Sequence, residues 1–148
     1  MNIDTDLNFT ENDYGWVTIL PKSSGLFLGK QIKVDLSTRV IPTKPEILPA
    51  PHEYQKELLR KILPELSTIL KKCKKEFLGY YEETCSEEFL TEHIDIPGIS
   101  ISIDQDEDYN PVPKSDEEWS FIIEFKESDI GHHLEYVGLE FKEIWAGG

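Results

Sequence analysis

Basic residues are scarce toward the C-terminal end of this chain. Between positions 84 and 148, Lys114, Lys126 and Lys142 face 17 acidic residues, so this stretch alone carries the formal net charge of −14. Such a field repels nucleic-acid phosphate and favours cationic partners, although acidic surfaces also serve solubility alone. Cysteine is scarce too. Cys73 and Cys85 are the only two, and their spacing supplies neither a C-x-x-C redox pair nor a four-ligand zinc set. No apolar run approaches the ~18 residues of a membrane-spanning helix. The opening "MNIDTDLNFTENDYG" has acids where a signal peptide needs bases and an apolar core, so a cytoplasmic location is expected. The G-x-S-x-G, Walker and G-x-G-x-x-G patterns are all missing, and no serine stands in a nucleophile context. The residues therefore point to no catalytic group, no resident metal and no cofactor.

What the chain does have is bulk. Its 148 residues fit one α+β domain spanning 1–148, and seven Phe, six Tyr and three Trp can fill a core. "GWVTIL" (15–20) reads as a strand ended by Pro21. "LFLGKQIKVDLS" (26–37) alternates, with Leu26, Leu28, Ile32, Val34 and Leu36 expected on one face and a hairpin expected through "PKSSG". The proline-rich "VIPTKPEILPAP" (40–51) is expected to be an extended connection.

The strongest periodicity follows. Leu58, Ile62, Leu66, Ile69, Cys73, Phe77 and Tyr80 are spaced 4, 4, 3, 4, 4 and 3, which tracks one face of a helix beginning near Pro51. Leu59, Leu63 and Leu70 widen the stripe, and Cys73 falls on it as a buried thiol. Pro64 removes one helical donor, so a kink or two abutting helices are expected there. "SEEFLTEH" (86–93) reads as a short helix capped by Ser86. "IDIPGISISID" (94–104) and "WSFIIEFK" (119–126) alternate as strands. Trp119 shares parity with Phe121 and Ile123, which assigns it to the core in preference to a contact surface.

Three motifs invite a chemical reading. "HEYQK" (52–56) begins like a zinc-protease helix, but Lys56 stands where the second histidine belongs. "DQDEDYNPVPKS" (104–115) offers Asp104, Asp106 and Asp108 at calcium-loop positions. It then has Tyr109 in place of glycine, two prolines, and Ser115 in place of the closing glutamate. His132 and His133 lie near the start of the last strand region. Adjacent side chains on a strand point to opposite faces, so the two imidazoles do not share a ligand. Beyond them the alternation changes parity at Gly138, where a bulge or tight turn would reset the pleat.

The order of parts carries one resemblance. An early Gly-Trp strand and hairpin lead to a central helix ending in paired tyrosines (Tyr80, Tyr81), and the chain closes on a Gly-x-Glu-Phe strand (Gly138 to Phe141). This arrangement resembles a group of small bacterial domains found among the immunity proteins of polymorphic toxin systems. The resemblance implies a protein that neutralises a cognate toxin by binding it, and it carries over no catalytic residue.

Taken together, these readings predict an α+β fold: an antiparallel sheet of about five strands with one long, kinked helix packed on one face. The expected function is non-enzymatic binding of a cationic protein, with neither nucleic acid nor membrane as partner. Asp104, Asp106, Glu107, Asp108, Asp116, Glu117 and Glu118 are the expected contact residues, with Tyr109 as an aromatic anchor. The rival readings are an acidic adaptor or regulatory domain, or an enzyme whose site assembles only in space.

Overall fold

The computed structural model describes residues 1–12, 14–37, 51–108, 111–114 and 116–148. Most of the proline-rich connection, Tyr109 and Ser115 lie outside the described residues.

Two features make the long helix. His52 caps its start: the imidazole Nδ1 accepts from Tyr54 N at 3.1 Å, while Gln55 Oε1 accepts from His52 N at 3.2 Å. That reciprocal pair satisfies donors that a helix start leaves bare. The apolar stripe then carries the chain through α2 (Glu53–Ile62), a 3-10 turn at Leu63–Glu65 holding Pro64, and α3 (Leu66–Tyr80). Pro64 thus tightens one turn and leaves the stripe in phase. Leu58, Leu59, Ile62, Leu66, Ile69, Leu70, Cys73 and Phe77 are all buried. Tyr80, expected on the stripe, is 48% exposed at the last residue of the helix, where its ring packs edge to face on Tyr81 and His132.

The stripe lies on a sheet built from β1 (Thr10–Glu11), β2 (Gly15–Ile19), β3 (Lys33–Ser37), β4 (Gly98–Ser102), β7 (Glu118–Glu124), β8 (Gly131–Val137) and β9 (Glu140–Gly147), in that spatial order. β5 (Asp104–Gln105) and β6 (Pro111–Val112) form a separate small hairpin. The described residues also include two short helices, α1 (Ile3–Asp6) and α4 (Glu87–His93), the latter capped by Ser86 as expected, and a 3-10 turn at Lys22–Ser24.

The main sheet has seven strands, against an expectation of about five. β1 is two residues long and shows no periodicity. The closing segment, read as one strand, folds back at Gly138–Leu139 into β8 and β9, with Gly138 at φ +58 in the first turn position. The sheet is also mixed. β3 and β4 run parallel, and the connection between them holds the long helix, as a parallel crossover requires.

A second correction concerns residues 26–32. Leu28 and Gly29 take φ values of +47 and +78, and Phe27 and Lys30 exchange backbone hydrogen bonds at 2.9 Å across them. This tight turn buries Phe27, leaves Leu26 exposed and breaks the expected alternation; Ile32, Val34 and Leu36 keep it.

Facing α2 and α3 on the sheet are Val34, Leu36, Ile99, Ile101, Phe121, Ile123, Leu134 and Tyr136, all buried. Each such side chain contributes about 1.5–3 kcal/mol on removal from water. Trp119 joins them, as its parity predicts. Among the described residues three buried polar side chains, Thr18, Gln55 and His132, enter this layer. The fully buried Gln55 donates to Ser37 O at 2.9 Å and to Ile101 O at 2.8 Å, tying the helix start to both parallel strands.

Candidate functional site

The expected contact residues fall into two groups. Asp106, Glu107 and Asp108 occupy the exposed tip of the β5–β6 hairpin, where Asp108 N donates to Asp106 Oδ1 at 2.9 Å. Asp104, Asp116, Glu117 and Glu118 gather instead around Tyr54 at the start of α2. The Tyr54 hydroxyl donates to Asp116 O at 2.7 Å. Burial first, and then the fields of Glu117, Asp116, Glu118 and Asp104, hold its phenol above the ordinary tyrosine range. Part of this second group is already answered by cations: Glu117 pairs with Lys61 at 2.6 Å, and Glu118 with Lys114 at 3.7 Å. Glu117 O also accepts from Gly138 N at 2.8 Å, and Gly138 O accepts from Trp119 Nε1 at 2.6 Å, so the β8–β9 turn braces the start of β7.

The other face of the main sheet presents a different surface. Each strand that sends one residue toward α2 and α3 sends its neighbour away from them. Among the described residues no helix covers this outer face: α1 is tied to α2 through Asp4 with Lys56 and Arg60, and α4 to α3 through Glu87 with Lys74. Strand register sets two rows across it. One runs Val17, Asp35, Ser100, Ser120, Glu135, Glu143. The next runs Ile19, Lys33, Gly98, Ile122, His133, Trp145.

Glu135 is held in place. Its Oε2 accepts from Ser120 Oγ at 2.8 Å and its Oε1 from Trp145 Nε1 at 3.1 Å. The Trp145 indole in turn stacks on His133 with ring centroids 4.0 Å apart and planes 5° from parallel. At the other end of the row burial pushes the Asp35 carboxyl up, against the opposing pull of Lys33 and of Ser37, whose hydroxyl donates at 3.4 Å. A depression of about 60 Å³ lies over Gly98 and Ser100, rimmed by Asp35 and Glu124. Among the described residues Asp35, Glu124, Glu135 and Glu143 have no cationic group within 4.0 Å.

The histidine pair divides as strand alternation requires. His133 lies on the outer face, and His132 points inward at 1% exposure. His132 Nδ1 donates to Ile123 O at 3.3 Å, so its Nε2 accepts from the Tyr81 hydroxyl. Phe77, Tyr80, Tyr81 and Phe125 pack around the ring edge to face, and burial holds the imidazole below its usual range. This is a neutral packing histidine. An apolar groove of about 240 Å³ opens beside it, between Tyr81, Phe89, His93 and Phe125. Among the described residues no set of three or more His, Cys, Asp or Glu side chains is grouped to hold a metal ion.

Sequence reasoning missed two arrangements: the Glu135–Ser120–Trp145 set and the Tyr81–His132 bond. The first joins residues 15 and 10 apart and depends on strand register, and the second joins residues 51 apart and depends on how the end of α3 packs on β8. The weak signal available was the hairpin turn at Gly138, which places Trp145 across from His133. The chain matches no protein-family model, no curated protein and no solved structure.

Proposed function

We propose that this chain is a non-enzymatic binding protein whose acid-rich C-terminal part docks a cationic protein, and that it acts as a bacterial immunity-type protein against a cognate toxin. One observation carries the reading. Residues 84–148 concentrate 17 acids against three lysines, and among the described residues the ion pairs of that stretch engage Glu87, Glu117, Glu118 and Glu140. Concentrated like charge costs the fold self-repulsion, and a basic partner relieves it. Electrostatic steering by such a surface can raise association to about 10⁸–10⁹ M⁻¹s⁻¹ at low salt. A toxin that binds nucleic acid presents the matching basic cleft, and blocking it needs no chemistry from the blocker.

Affinity capture from the native host at low and moderate salt tests the binding reading. The expected result is a basic partner held at low salt and weakened at moderate salt. Recovery of no basic partner at either salt removes the proposal. A toxin-like gene directly upstream separates immunity from the general acidic-adaptor role.

A further inference from the structure

The hairpin tip is charged, but the outer face of the sheet is charged and organised. Glu135 and Glu143 face each other directly across β8 and β9. Like charges in that relation are destabilising, and neither has a cation within 4.0 Å among the described residues. Half-buried Glu135 is nevertheless fixed, each carboxylate oxygen accepting a hydrogen bond from a neighbouring strand. A carboxylate fixed in advance has already given up the rotamer freedom that binding would otherwise take. Next to it stands Trp145, 42% exposed and backed on one side by His133.

An aromatic plane beside a fixed carboxylate suits a guanidinium better than an ammonium. Guanidinium is planar, donates in a fork that matches a carboxylate, and stacks on an indole. A second polar depression lies three strands away over Gly98, where Asp35 and Glu124 share the rim with Lys33. Among the described residues the outer face has six carboxylates, of which Glu118 pairs with Lys114 and Glu140 with Lys142, while Asp35, Glu124, Glu135 and Glu143 have no cation within 4.0 Å.

Resting on the binding function proposed above, we infer that the outer face of the sheet is the docking surface, and that it recognises an arginine of a basic partner at Glu135, Glu143 and Trp145. Ile19, Ile122 and Val137 supply the apolar contact around the charged seats.

The test is a titration of the full ¹⁵N-labelled chain with two synthetic dodecapeptides, one alternating Arg and Val, the other Lys and Val, followed by amide shifts. The expected result is shifts centred on β7, β8 and β9, with the arginine peptide bound about tenfold more tightly. Glu135→Gln keeps the side chain's size and weakens the arginine peptide about tenfold. Glu143→Gln, at an exposed position, repeats the effect more weakly and guards against a folding artefact, and Trp145→Ala brings the two peptides to equal affinity. Shifts confined to Asp106, Glu107 and Asp108 overturn this surface and leave cationic binding standing. Equal affinity of the unaltered chain for both peptides overturns the arginine assignment. No shift with either peptide overturns the inference and the binding reading together.

Discussion

Replacing Gln55 tests how helix and sheet are joined. Its side chain accepts from His52 N and donates to Ser37 O and Ile101 O, and it is fully buried. Gln55→Ala strips one helix-cap donor of its acceptor and removes one donor from each of two strand carbonyls, of which Ser37 O keeps Ile103 N at 3.2 Å, and it leaves a small void. Each buried group left unsatisfied costs about 1–3 kcal/mol. Because Ser37 O keeps a backbone donor, the loss falls on the helix cap and Ile101 O, and the total comes to about 2–4 kcal/mol. Gln55→Glu probes the same contacts electrostatically. Its carboxylate would face two carbonyl oxygens in a buried site, and both burial and lost donors favour the protonated acid. The introduced group's pKa is therefore raised on folding, and the folded state binds the extra proton. Relative to the parent, the variant is fully penalised above its folded pKa and recovers as the pH falls toward the unfolded value of about 4.3. Urea unfolding at pH 7 and pH 5 reads both effects. A Gln55→Ala cost below about 1 kcal/mol, or a Gln55→Glu deficit unchanged between the two pH values, would refute the reasoning.

Three further outcomes follow from the packing. His132 is held neutral by burial, so it binds fewer protons folded than unfolded. Its contribution is complete above about pH 6.5 and is lost as the pH drops below that value, and thermal unfolding from pH 7.5 to 5.5 should show a steeper decline in the parent than in His132→Gln. Burial pushes the Cys73 thiol up to about 12, beside the Tyr136 hydroxyl at 3.4 Å, so a thiol reagent at pH 8 should label half-exposed Cys85 and spare Cys73 until the chain is unfolded. Two labels per native chain would contradict this burial. Gly138 sits at φ +58, and Gly138→Ala should cost about 1–2 kcal/mol in urea unfolding; a neutral result would mean that the β8–β9 turn is not formed as described.

Elements whose signals are local were legible. The helix was visible because its stripe persists over 20 residues and because Pro64 falls where a 3-10 turn can absorb it. The strands around Val34, Ile99, Phe121 and Leu134 were visible because one buried face enforces a period of two. The turn at Leu28–Gly29 was not, since a leucine at φ +47 is there by tertiary demand: burying Phe27 against Phe77 and Phe121 outweighs the local strain. Strand direction was illegible too. Alternation says that β3 and β4 are strands and says nothing of whether they run parallel. The acidic contact residues were visible as composition, but composition does not reveal that Lys61 and Tyr54 engage one end of that segment.

The same geometry that hid the outer face also limits what its residues can be for. Every position on the inner face is committed to the core, where a charge would be expelled. The outer positions carry no such constraint, and folding alone is indifferent to whether they are serine, lysine or glutamate, provided that cross-strand neighbours do not repel. A sequence under solubility pressure alone meets that proviso by interspersing lysines, as helix α3 does with Lys72 and Glu76 at 2.9 Å. The outer face pairs Lys142 with Glu140 in the same way, yet it sets Glu135 opposite Glu143 and uses Ser120 and Trp145 to hold one of them still. A repulsive pair kept in register, beside an indole, gains a physical reason once a cation is placed between its members.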